Sequence, residues 1–190
     1  MEINEQFVVT RPIDAVWELF LDVPGLSRCL PGAELTEDHG DGSYDGKVTV
    51  KLGPITAAFD GSATVEIHPD TRSLRIKGRG VDRAGGSQAR VDIGVQLSPV
   101  DEAQTDVSID ATMTLAGPIA QFGRTGLVNE VSKRLIAEFS DCLYAKLDAE
   151  SEEDAALIQA SEVHGLSLFF ASTWAAFQRW MRGLFSKNRS

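Results

Sequence analysis

Apolar and polar residues follow two different periods along this chain. From Glu34 to Leu115 they alternate with a period of two, in short segments separated by the turn sequences HGDG, LGP, HPD, GGS and SPVDEA. The segment 107–115 is the clearest case, because its odd positions are apolar and its even positions are Ser, Asp or Thr. This pattern predicts about six strands with one apolar and one solvated face.

The chain before residue 34 adds one strand and two short helices. Residues 3–9 (INEQFVV) have strand character, and TRPIDAVWELFLD predicts a helix that buries Ile13, Val16, Trp17 and Phe20. The sequence DVPGLSRCLPGAE is interrupted by Pro and Gly and favours a second short helix between turns. Together these segments predict a strongly curved antiparallel sheet of seven strands.

The period becomes helical after Pro118. Apolar residues recur at every fourth position, at Leu127, Val131, Leu135, Phe139, Leu143 and Leu147. Because the body has no other helix of this length, the apolar stripe has only the sheet to cover. The predicted fold class is therefore α+β, a seven-stranded curved antiparallel sheet around a long C-terminal helix.

The chain divides into three predicted regions. Residues 1–147 form the folded domain, and 148–162 (DAESEEDAALIQASE) have the composition of a mobile acidic linker. Residues 163–190 form an amphipathic tail. Placed on a helix, its large apolar residues are spaced four, three, four and three apart from Phe170 to Leu184.

Charge separates the tail from the body. Residues 1–162 contain 28 acidic and 14 basic side chains, whereas the tail contains four basic residues and no acidic one. Aromatic rings beside cations are typical of a helix that lies on an anionic membrane, and the apolar run is too short to span a bilayer. Packing on the domain or on a second copy is the alternative. The membrane-binding candidates are Phe170, Trp174, Phe177, Arg179, Trp180, Met181, Arg182, Leu184, Phe185, Lys187 and Arg189.

Composition excludes several other classes of function. An acidic body repels phosphate backbones, so nucleic acid is not an expected partner. The N-terminus MEINEQFVVT lacks the pattern of a signal peptide, and we expect a cytoplasmic protein. Cys29 and Cys142 are far apart without a CxxC motif, which favours two free, packed cysteines over a zinc site or a redox pair.

The sequence contains no recognisable catalytic constellation. His39 and His68 lie in turn sequences, and His164 lies where the linker meets the tail. We find no metal motif, no nucleophilic serine motif and no phosphate-binding loop. The protein is therefore predicted not to be an enzyme and not to hold a metal.

Small residues on the apolar face of the sheet favour an internal cavity over a filled core. Ala57, Gly61 and Ala63 alternate with larger apolar residues on the strand that follows the LGP turn. The CLPG turn and the GPIAQFG segment are candidate gates. Alternation and helical spacing give the cavity candidates Val50, Leu52, Phe59, Val65, Ile76, Ile93, Val95, Ile109, Met113, Phe122, Leu127, Val131, Leu135 and Phe139.

Three stretches carry a resemblance to a known family. RPIDAVWELFLDVPGLSRCLPGAE, KVTVKLGPITAAFDGSATV and LAGPIAQFGRTGLVNEV resemble the carbon monoxide dehydrogenase G-subunit family of the START-like (SRPBCC) helix-grip superfamily, over roughly residues 1–147. The resemblance implies a helix-grip fold with an apolar pocket, and no catalytic residues. It also implies an accessory role beside a molybdenum-containing carbon monoxide dehydrogenase, with recruitment to the membrane and binding of quinone, menaquinone in particular.

Three hypotheses follow. The first is a membrane-tethered protein, peripheral on the inner face of the cell membrane, that binds an isoprenoid quinone and couples the dehydrogenase, or a related molybdenum hydroxylase, to the quinone pool. The second is a ligand-free adaptor that recruits the enzyme to anionic lipid. The third, a START-like enzyme acting on a hydrophobic small molecule, requires polar groups inside the pocket, and the sequence indicates none.

Overall fold

The computed structural model describes residues 1–52, 55–124, 126–149 and 152–160. Short 3-10 helices lie at Pro69–Thr71 and Pro118–Arg124. The strands and α-helices of the described ranges are, in chain order, β1 (Glu2–Val9), α1 (Ile13–Leu21), α2 (Val23–Ser27), β2 (Ala33–Asp38), β3 (Ser43–Leu52), β4 (Ile55–His68), β5 (Ser73–Asp82), β6 (Ser87–Pro99), β7 (Thr105–Ala116), α3 (Leu127–Asp148) and α4 (Glu152–Leu157).

The strands form one antiparallel sheet in the order β1-β7-β6-β5-β4-β3-β2. Strands β2 to β7 pair with their neighbours in the chain, and the two helices after β1 carry the chain from one edge of the sheet to the other. Helix α3 contacts β1 near one edge and β3 near the other, so the sheet curves around it. The predicted seven-stranded sheet and long helix are confirmed.

The buried side chains form two separate clusters at opposite ends of the strands. In the larger one, α1, the loop after α2 and the C-terminal half of α3 pack against the sheet. Its buried members are Val9, Val16, Trp17, Phe20, Cys29, Leu74, Val95, Leu97, Val107, Phe139, Cys142 and Leu143. The smaller cluster consists of Ala57, Phe59 and Ile119. Separate clusters leave the middle of the sheet without a continuous core.

The two cysteines are joined in a disulfide, so the prediction of two free cysteines is wrong. Cys29 follows α2 and Cys142 lies in the C-terminal half of α3, and their Cα atoms are 5.4 Å apart. Both are buried in the larger cluster. The pairing depends on the packing of α2 against α3, which a separation of 113 residues in the sequence does not reveal.

The acidic segment after α3 is held on the body as far as the structure describes it. Helix α4 packs against α3, and Ile158 contacts the larger cluster. This docking corrects the prediction of a mobile linker for residues 152–160. The apolar side chain of Ile158 and hydrogen bonds to α4 provide contacts that the acidic composition obscured. The tail candidates from Phe170 to Arg189 lie outside the described residues.

The disulfide gives the first testable prediction. Opening a crosslink that spans 113 residues should lower the free energy of unfolding by about 4 kcal/mol, because the unfolded chain gains freedom. Urea unfolding of oxidised and reduced protein measures this difference.

A direct assay is alkylation of the denatured, unreduced protein after thiols are blocked at cell lysis. We expect no free thiol, and two alkylated cysteines would contradict the assignment. Because disulfides are rare in the reducing cytosol, the result also tests the expected cytoplasmic location.

Candidate functional site

A cavity of about 400 Å³ lies in the middle of the sheet, between the two core clusters. Its walls are the inner faces of β3 to β7, the N-terminal half of α3 and the loop after α2. The volume lies within the range of small-molecule sites, and the lining is largely apolar. The site is therefore suited to a hydrophobic ligand.

Missing side chains create this space. Gly46, Gly61 and Gly80 are cross-strand neighbours on β3, β4 and β5, and Ala63 lies opposite Gly78 in the next row. Gly61 is also required by close packing, because a Cβ there would lie 2.1 Å from the carbonyl oxygen of Arg79. The predicted small residues Gly61 and Ala63 thus lie at the cavity wall.

Half of the fourteen cavity candidates line the cavity. These are Val50, Phe59, Ile76, Ile93, Met113, Val131 and Leu135. The side chains of Leu52 and Leu127 lie outside the part of the chain whose side chains are described.

Five candidates lie elsewhere. Val65, Val95, Ile109 and Phe139 belong to the larger core cluster, where α1 and the C-terminal half of α3 fill the space. Phe122 packs against the smaller cluster. For the strand residues the inner face was correct and the position along the strand was wrong. Whether any lining residue contacts a ligand stays a prediction.

Sequence reasoning missed several lining residues that share the same periodic signals. Ala89 and Val91 precede Ile93 in the alternation of β6, and Leu115 follows Met113 on β7. Val128 and Ser132 extend the helical stripe of Val131 and Leu135. The remaining lining residues include Leu30, Leu35, Tyr44, Val48 and Ile119.

The cavity opens at a rim formed by the loop after α2 and by β3. Leu30 and Val48 both line the cavity, yet they are 46% and 43% exposed. Leu30 belongs to the CLPG turn, one of the two predicted gates. The adjacent disulfide of Cys29 fixes this turn to α3.

Two hydroxyl groups are available inside the cavity. Tyr44 lies on the inner face of β3 and Ser132 on the inner stripe of α3, and neither makes a side-chain hydrogen bond to another described residue. Burial, and then the nearby Asp38 and Asp41, raise the pKa of Tyr44, so its phenol stays protonated at neutral pH. The other two serines of the wall are engaged: Ser27 donates to the Pro24 carbonyl, and Ser62 accepts from Arg79.

Two polar features lie outside this cavity. A groove of about 650 Å³ on the outer face contains the paired Arg75 and Asp92, and the guanidinium lowers the pKa of Asp92. On the β2–β3 hairpin, His39 Nε2 lies 3.2 Å from Asp45 and its Nδ1 lies 3.8 Å from Glu37. Those three residues could approach one ion. However, the carboxylates flank opposite edges of the ring, as in ion pairs.

Within the described ranges, no helix has the length and hydropathy needed to cross a membrane.

Comparison with known proteins places the fold and the family. The family described as the carbon monoxide dehydrogenase G-subunit (CoxG) matches residues 6–148. A search of curated proteins found no significant match.

Three solved structures share the fold at low sequence identity. A conserved protein from Geobacillus kaustophilus has a TM-score of 0.68 at 19% identity and covers 77% of this chain and 95% of its own. The ZhuI aromatase/cyclase from Streptomyces sp. R1128 has a TM-score of 0.57 at 16% identity, covering 78% and 93%. A START superfamily protein from Mycobacterium smegmatis has a TM-score of 0.52 at 12% identity, covering 77% and 97%. These likenesses establish the START-like fold.

The cavity can be tested with one substitution on each face of β4. Ala63→Phe places a ring at the cavity wall, whereas Ala58→Phe places the same ring on the exposed outer face. Titration with an apolar fluorescent probe should give at least about tenfold weaker binding for Ala63→Phe, because the ring fills the cavity. The Ala58→Phe control should bind as the wild type does. Equal binding by both variants would exclude this cavity as the probe site.

Proposed function

Given that this chain belongs to the carbon monoxide dehydrogenase G-subunit family, we propose that it binds an isoprenoid quinone and couples a molybdenum-containing carbon monoxide dehydrogenase to the membrane quinone pool. Family membership and the START-like fold support the coarser role, an accessory protein that binds a hydrophobic ligand. The observation that carries the proposal is the apolar cavity, open at the Leu30–Val48 rim. Menaquinone is the favoured ligand.

The physical problem that such a protein solves is the insolubility of an isoprenoid. Each methylene exposed to water costs about 0.8 kcal/mol, so a chain of several isoprene units does not diffuse freely. Transfer from lipid into an equally apolar cavity avoids most of this cost. The mouth of the cavity must then lie at the bilayer while the ligand moves.

The two cavity hydroxyls fit a ligand with a carbonyl headgroup. Tyr44 and Ser132 can each donate to a quinone oxygen, whereas the apolar wall surrounds the ring and the first part of the chain. A few placed polar groups in an apolar pocket fix the orientation of a ligand. The inward-facing described residues of the wall offer no carboxylate–histidine or nucleophile–base pair. This favours an accessory role over a catalytic one.

The tail would supply the membrane contact. Four basic residues near an anionic surface contribute about 1 kcal/mol each. Trp174 and Trp180 have side chains that favour the depth of the lipid headgroups. Localisation on the inner face of the membrane follows from this role.

The adaptor without a ligand stays the second candidate, because the body presents a cluster of acidic side chains. Glu37, Asp38 and Asp41 are exposed on the β2–β3 hairpin, with Asp45 beside them. Such a surface could bind a basic patch on the dehydrogenase. Both candidates use the tail, and only the first needs an occupied cavity.

Extraction of lipids from the purified full-length protein separates the two candidates. Protein produced in a host that makes menaquinone should release one quinone per chain, detected by mass spectrometry. The Ala63→Phe variant should release much less, and Ala58→Phe should equal the wild type. Quinone-free wild-type protein that also binds no added menaquinone would leave the adaptor.

Removal of single hydroxyls tests the headgroup contacts. Tyr44→Phe and Ser132→Ala each remove one donor without altering the apolar wall, and each should weaken menaquinone binding about three- to tenfold. A headless isoprenoid hydrocarbon should bind the variants and the wild type alike. Loss of affinity for both ligands would indicate a disturbed cavity, and no loss for either would exclude these contacts.

A further inference from the structure

The chain that leads to the tail is fixed to the body at three points. Lys146 Nζ donates to the Ala155 carbonyl at 2.6 Å, and Arg28 donates from its guanidinium to the Ala156 carbonyl at 2.8 Å. The Ala160 amide donates to the Arg28 carbonyl, also at 2.8 Å. We refer to residues 155–160 with these contacts as the clamp.

The first of these contacts involves a buried cation. Lys146 is only 6% exposed, and burial lowers its pKa, with Asp22 opposing this effect and Arg28 adding to it. A buried ammonium group requires hydrogen-bond acceptors, and the last carbonyls of a short helix provide them. Releasing the clamp would leave this charge without the Ala155 carbonyl. The contact therefore opposes detachment of α4.

The clamp ends at the rim of the cavity. Arg28 lies between Ser27 and Cys29, and both Ser27 and Leu30 line the cavity. The disulfide of Cys29 fixes this loop to α3. Whatever follows Ala160 therefore starts beside the mouth, with no free spacer between them.

The rim itself presents apolar side chains to the outside. Leu30 and Val48 are nearly half exposed on opposite elements of the mouth. Lys47 and Glu34 also line it, so its charges are of both signs and favour no ligand of one charge. The contribution of the rim to any contact is consequently apolar.

We infer that the rim is a membrane-contact surface of its own, and that the clamp holds the start of the tail against it so that tail and mouth dock on the bilayer together. This inference rests on the proposed function. A bilayer fits the surface because the segment that starts there carries Trp174, Trp180 and only basic charges. A ligand then passes between lipid and cavity without crossing water.

Menaquinone transfer between anionic phosphatidylglycerol vesicles tests the inference in the full-length chain. Leu30→Asp with Val48→Asp should slow transfer roughly tenfold, the effect of losing about one leucine-sized apolar contact. The matched control is Leu21→Asp with Val100→Asp, which charges two exposed apolar residues away from the cavity. The control should transfer at the wild-type rate.

The clamp is tested by inserting a flexible Gly/Ser segment directly after Ala160. The tail then still binds vesicles in co-sedimentation, whereas transfer should slow because the mouth is no longer held at the surface. Menaquinone affinity in detergent should be unchanged in the insertion and rim variants. Wild-type transfer rates in both would overturn the inference while leaving the proposed function intact.

Two further outcomes identify other errors. A wild-type protein that binds and transfers no menaquinone would overturn the proposed function, and the inference with it. Trp174→Glu with Trp180→Glu should weaken vesicle binding and leave quinone affinity in detergent unchanged. A rise in that affinity would place the tail in the cavity instead of on the bilayer and would also overturn the inference.

Discussion

The sheet lacks side chains along its middle rows, and both the core and the site depend on this constraint. A sheet that curves around one helix can exclude water only where side chains reach the helix. Gly46, Gly61 and Gly80 contribute none, so packing is confined to the two ends of the strands. The space between these ends is the cavity. Close packing at Gly61 further means that the curvature and the missing side chain have the same origin.

Because packing is divided, the two ends of the domain serve different purposes. The larger cluster contains α1, the disulfide and the aromatic contacts of Phe139 with Phe7 and Phe20, and it anchors the fold. The smaller cluster closes the opposite end with Ile119. The loop after α2 belongs to both the anchored end and the mouth. Rigidity at Cys29 is thereby transmitted to the rim and to the chain that leaves it.

Periodicity predicted the sheet, the long helix and the inner face of each candidate strand residue. Ile93 and Val95 share a face and differ by one pair of residues, yet Ile93 lines the cavity and Val95 is in the core. What separates them is the position of α1, which alternation within β6 does not encode. The disulfide and the contacts of Lys146 with α4 were missed for a similar reason, since both join segments whose proximity only tertiary packing creates. The family resemblance supplied the ligand class, which no periodic signal contains.

The size of the cavity bears on what the protein can do with a long ligand. At about 400 Å³ it lies near the lower end of the range for pockets that hold drug-sized molecules, roughly 300–1,000 Å³. A headgroup with the first part of its chain has that size, and a full-length isoprenoid exceeds it. The remainder of such a chain would protrude through the mouth and lie along Leu30 and Val48 or in lipid. The protein would then act as a grip on one end of an amphiphile that never leaves the membrane entirely, rather than as a container that travels.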